Sequence, residues 1–194
     1  MKWFYFIFMG VFITVIITIF VVLDIKNSSG NYSKDLNRII NRKVKYDRLI
    51  KISYSNSGDM RGNVENLIID VDEKIIKYRY SEGFNVPVLV TEYSISDADI
   101  DNLNEMIKKY NFPAWTNLPL SKMVVYDAPS KNLSFTYDNS KIGGDNLVWF
   151  DIDYDTLIPS DGFILLHEFT DYMYSLMKED NLINTYTEED EFIN

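Results

Sequence analysis

The chain has 194 residues, enough for one domain of ordinary size and one further segment. It contains no cysteine, which excludes disulfides, thiolate metal centres and cysteine nucleophiles. Its net charge of −10 at pH 7 argues against nucleic acid as a partner.

Residues 3–23, WFYFIFMGVFITVIITIFVVL, carry no charged side chain. At ~1.5 Å per residue a helix of that length covers roughly 30 Å, the hydrocarbon thickness of a bilayer. The stretch predicts an N-terminal transmembrane helix within an anchor over residues 1–24, with the lipid bilayer as its partner. A cleaved signal peptide is the rival, but its apolar core is shorter and ends in a small-residue cleavage pattern, and none follows Leu23. The orientation signals conflict. Lys26, Lys34, Arg38, Arg42 and Lys43 outnumber Lys2, which favours a cytoplasmic domain. The short N-terminal flank instead suits an export signal retained as an anchor.

Residues 26–51 hold eight Lys/Arg against Asp35 and Asp47, so a basic linker over 25–43 precedes a strongly acidic remainder. It suits contact with the domain or with anionic headgroups, and the sharper alternative is a tether for phosphate-rich wall material.

A globular domain is expected over 44–180. LIKISYS at 49–55 alternates as a strand, with Leu49 and Lys51 against Ile50, Ile52 and Tyr54, and NSGDMRGN supplies a turn. LIIDVDEKIIKYRYS at 67–81 reads as a hairpin turning at Asp72 to Lys74, and VLVTEYSIS at 88–96 follows Pro87 as a third strand. Ser96 and Asp99 make a capping-box-like start for a helix whose Ile100, Leu103, Ile107 and Tyr110 form one apolar stripe.

Asn111 can take that helix's left-handed cap, and Pro113 stops it. Phe112, Trp115 and Leu118 then read as a plug closing the core; the alternative is an exposed ligand platform of Phe112 and Trp115. Further strands are expected at MVVYD (123–127), LSFTYD (133–138) and NLVWFDIDYD (146–155), then a second helix from Pro159 and Ser160. The fold class is therefore α+β, a mainly antiparallel sheet of about six strands in the order βββα-βββα with both helices on one face. The tail over 181–194, with four acids at 188–191, is expected to fray.

His167 lies in HEFTD, where Asp171 replaces the second histidine of a zinc-protease motif. With Phe169 at the centre of the apolar stripe, His167 and Asp171 fall on the solvent side of the helix, so no zinc site or Ser/His/Asp triad is assigned. Asp151, Asp153 and Asp155 alternate like the opening of a calcium loop, but Thr156 and Gly162 stand where an EF-hand needs Gly and Glu. Alternation in a strand instead sets the three Asp on one face, with Phe150, Ile152 and Tyr154 on the other.

The helix ending in MIKKYNFPAW, the segment YDAPSKNLSFTYD and the aromatic strand VWFDIDYD before a closing helix resemble an uncharacterised family of exported lipoproteins and membrane-anchored domains of low-GC Gram-positive bacteria. The likeness spans roughly residues 52–180. It implies export, and hence an extracytoplasmic domain, but brings no activity, ligand or catalytic residue. The lipoprotein cysteine is absent after the apolar stretch, so anchoring would fall to the helix itself.

Together these readings predict a single-pass protein of the cell membrane whose extracytoplasmic domain is a non-enzymatic binding module for a protein or cell-envelope partner. They assign no catalytic residue and no cofactor. One alternative is an envelope enzyme or calcium-dependent module on the Asp151, Asp153 and Asp155 face; another is a cytoplasmic domain held at the inner leaflet by the basic linker.

Overall fold

Alternating apolar positions build an antiparallel sheet in the computed structural model, which describes residues 38, 41–57, 62–83, 86–118, 130–142, 147–153 and 160–188. Among them the strands are β1 (Arg48–Ser57), β2 (Val64–Asp70), β3 (Ile75–Ser81), β4 (Val88–Ser94), β5 (Ser130–Asp138), β6 (Leu147–Asp153) and β7 (Leu182–Glu188). Their spatial order is β6-β5-β1-β2-β3-β4-β7. Helix α1 (Asp97–Tyr110) connects β4 to β5, and α2 (Ser160–Ser175) connects β6 to β7, the two edges of the sheet.

One face of the sheet is the core. Ile76, Ile69, Ile52, Phe135 and Phe150 stand in register across five strands, and Tyr78, Leu67, Tyr54, Leu133 and Ile152 form the next row. Period-two alternation puts all of these on one side. Helix α2 lies over them through Leu166, Phe169 and Met173, and Leu176 is buried in the turn that follows it; the Phe169 ring is 5.8 Å from that of Phe135. Helix α1 buries Ile100, Leu103, Ile107 and Tyr110 and meets α2 where the Asn102 amide donates to the Tyr172 hydroxyl at 3.2 Å. Burying side chains of this size at ~25 cal/mol per Å² makes this face the main source of stability.

Local signals set the ends of α1. The Asp99 N–H donates to Ser96 Oγ at 3.2 Å, and Asn111 closes the helix in the left-handed region at φ 55°, ψ 38°. The β2–β3 turn is drawn tight by Asp70, whose Oδ1 accepts from the N–H groups of Asp72 and Glu73 at 3.1 and 2.9 Å.

The opposite face carries Lys51, Ser53, Ser55, Lys77, Arg79 and Glu92, with Lys77 and Glu92 paired at 3.3 Å. Val90 belongs to that polar face by register, yet is only 1% exposed. It sits between Arg79 and Tyr186, and Arg79 forms an ion pair with Glu188 on the far side of β4. The aliphatic stem of an arginine can cover apolar surface while its head stays polar.

The α+β class holds, but the detailed expectation does not. The order is ββββαββαβ with seven strands, because β1 to β4 form a continuous meander before α1 and residues 182–188 are a strand rather than part of a frayed tail. Among the described residues no helix is long and apolar enough to cross a membrane, so the fold gives the expected N-terminal transmembrane helix no support. The stretch 3–23 lies outside the described residues, as do the strand expected at 123–127, Tyr154, Asp155 and Pro159. Leu49 also differs from expectation. A register shift between Leu49 and Lys51 turns it toward the same core as Ile52.

Candidate functional site

The sequence that ends α1 also shapes a recess on the surface. Phe112–Asn117 winds into a 3-10 turn directly after the Asn111 cap. Phe112 is fully buried, its ring stacked on Phe135 at 5.8 Å and edge-on to Trp115 and Phe169 at 5.2 Å each. Trp115 is 3% exposed. Phe112 and Trp115 therefore plug the core, as one of the two sequence readings expected, and present no ring face on which a ligand could stack.

The chain leading into β1 is laid over this turn. The Asn111 side-chain amide donates to the carbonyl of Arg42 at 3.1 Å. The Tyr46 ring rests 4.6 Å from that of Tyr137, and the Asp47 N–H donates to Asn139 Oδ1 at 2.9 Å. Between these fixed points lies a cleft of about 340 Å³ lined by Arg42, Lys43, Val44, Lys45, Pro113, Ala114 and Phe150. That volume lies at the lower end of the range that holds small ligands. Arg42, Lys43 and Lys45 are exposed, and among the described residues none has an ion-pair or side-chain hydrogen-bond partner. Among the described residues the cleft lining combines three cations with apolar carbon and no carboxylate.

No protein-family model matches the chain, and no curated protein matches it either. The cleft must therefore be read from its own chemistry.

A second polar cluster lies beneath α2. Glu65 Oε1 accepts from the hydroxyls of Tyr78 at 2.9 Å and Tyr174 at 2.7 Å, and Oε2 accepts from the Asn56 amide at 3.1 Å. Tyr54 and Tyr78 both meet the Tyr174 ring edge-on, at 6.2 and 6.3 Å. Burial, and then the hydrogen bond to Glu65, push the hydroxyls of Tyr78 and Tyr174 well above the ordinary tyrosine value. Hydroxyls held neutral and donating serve neither as bases nor as nucleophiles. The carboxylate spends its lone pairs joining β2, β3 and α2. The sequence reading missed this cluster, although continuing the β2 alternation from Leu67 one step back to Glu65 would have pointed a carboxylate inward.

The other sequence candidates remain apart. Asp151 is exposed on the outer face of β6, and Asp153 shares that face by alternation, while Phe150 and Ile152 turn into the core. Asp155 lies outside the described residues. Among the described residues no group of three His, Asp or Glu side chains is arranged to hold a metal. His167, Glu168 and Asp171 are exposed on α2, opposite Leu166, Phe169 and Met173.

Proposed function

We propose that this domain is a non-enzymatic binding module of the cell envelope, with its ligand seated in the cleft between residues 42–45 and the 3-10 turn. The observation that carries this reading is the lining itself. Three cations without a carboxylate partner among the described residues, over an apolar floor of Val44, Pro113, Ala114 and Phe150, favour recognition of an anion. General acid–base chemistry needs a group that can accept a proton beside the reacting atom, and among the described residues the lining pairs no such acceptor with a nucleophile. The resemblance to exported domains supports envelope placement.

Purified full chain should co-sediment with isolated bacterial envelopes, and Arg42→Gln/Lys43→Gln/Lys45→Gln should weaken that retention by about tenfold or more. Equal retention of the triple variant sinks the reading. Protease added to intact wall-stripped cells should remove a C-terminal tag if the domain is extracytoplasmic; protection until lysis assigns it to the cytoplasmic side.

A further inference from the structure

We infer that the cleft takes a phosphate ester of a small aliphatic alcohol. This deepens the binding-module reading and rests on it. Among the described residues Arg48, Lys74, Lys77 and Arg79 each have a carboxylate partner, while Lys51, Lys108, Lys131, Lys141 and Lys178 have none and are scattered along the chain. Arg42, Lys43 and Lys45 lie within four consecutive positions, line one cleft and have none among the described residues. In a chain of net charge −10, three neighbouring cations line one cleft with no carboxylate against them among the described residues. An anionic ligand would supply the missing countercharge.

A phosphate fits better than a carboxylate. A guanidinium fork can take two oxygens of one phosphate while the two ammonium groups act as point charges on the remainder. A single carboxylate offers one charge and two oxygens, fewer than the three oxygens and up to two charges of a phosphate monoester, so it meets three cations less fully. The floor then selects the rest of the ligand. Val44, Pro113, Ala114 and Phe150 present no charged or hydrogen-bonding side chain, so the part of the ligand beyond the phosphate meets them through its carbon skeleton. The recess is also held open in advance, because Asn111 pins the Arg42 carbonyl and Tyr46 packs on Tyr137. Preorganisation lowers the cost of binding. A phospholipid headgroup and a soluble glycerol phosphate share this chemistry.

The test uses the full chain with four probes: glycerol 1-phosphate, inorganic phosphate, polyglutamate, and phosphatidylglycerol vesicles against phosphatidylcholine vesicles. Two variants accompany the wild type. Arg42→Gln/Lys43→Gln/Lys45→Gln alters exposed side chains only, and Val44→Trp fills the floor while keeping the charge. We expect glycerol 1-phosphate or phosphatidylglycerol vesicles to bind, the triple variant to lose about tenfold or more, and Val44→Trp to weaken either ligand while leaving inorganic phosphate unchanged. Glycerol 1-phosphate binding with no preference for phosphatidylglycerol identifies a soluble ester as the source. A preference for phosphatidylglycerol vesicles that the triple variant loses, without binding of the soluble ester, identifies a lipid headgroup. Polyglutamate binding as tightly as the phosphates, with the same sensitivity to the triple variant, overturns the phosphate assignment and leaves the binding module standing. If the triple variant changes no probe's affinity, both readings fall.

Discussion

Asn111 does two things from one backbone position. It accepts the left-handed conformation that ends α1, and its amide ties down the chain at Arg42. A residue with a Cβ and no local hydrogen-bonding group pays roughly 1–2 kcal/mol in that conformation. Asn111→Ala should therefore lower stability by about that much in urea unfolding, plus the lost amide bond, whereas Asn111→Gly should cost less because glycine takes the cap freely. The Gly variant should also loosen the cleft without unfolding the domain. A deeper plug residue behaves differently. Truncating Phe112, packed against four aromatic rings, should cost about 3–5 kcal/mol. Tyr137 is the contrary case. Its hydroxyl is buried with no hydrogen-bond partner among the described residues, so it sits desolvated and uncompensated. Tyr137→Phe should leave stability unchanged or raise it by about 1 kcal/mol, and a loss larger than that would show that the hydroxyl has a partner.

At the scale of elements, the seam joining β2, β3 and α2 has a pH signature. Tyr78 and Tyr174 hold their protons more tightly when folded than when unfolded, where the ordinary value is 10.0. The folded state therefore binds more protons above that pH. Their contribution is intact below pH 10 and is lost as pH rises past it. Circular dichroism across alkaline pH should show unfolding that begins there, and Tyr174→Phe should flatten the slope. The sequence made much of the framework legible. The Ser96 and Asn111 caps, the apolar stripe of α1 and the inward phase of Phe150 and Ile152 all follow from local chemistry, and each signal lies within a few residues. The cleft and the Glu65 cluster were not legible, because they join residues far apart in the chain: Arg42 to Asn111, and Glu65 to Tyr174. Strand β7 fell between these cases. Ile183, Thr185, Tyr186 and Thr187 favour a strand, but the acids that follow suggest a solvated tail. What decides is the open edge of β4, where Val90 needs Tyr186 and the Arg79–Glu188 pair above it. Deleting residues 182–194 should expose that edge, and sedimentation velocity should then report self-association of the truncated chain.

For the molecule as a whole, charge and topology combine. Residue pairs such as Ile52 with Phe135 and Val90 with Tyr186 join distant parts of the chain, so the sheet closes only when both helices have crossed it. Such non-local pairing favours slow folding and one cooperative transition. Most of the acidic excess lies beyond residue 51, and folding brings it into a smaller volume. Self-repulsion of like charges opposes the compact state and is screened over about 8 Å at 0.15 M salt. Raising sodium chloride from near zero to that level should therefore raise the melting temperature. Millimolar calcium at matched ionic strength should add nothing further, because no described cluster brings three oxygen-bearing acids to one point. A rise specific to calcium would instead mean that the Asp151 face gains a ligand from beyond the described residues, and would return the acidic strand to contention as a binding surface.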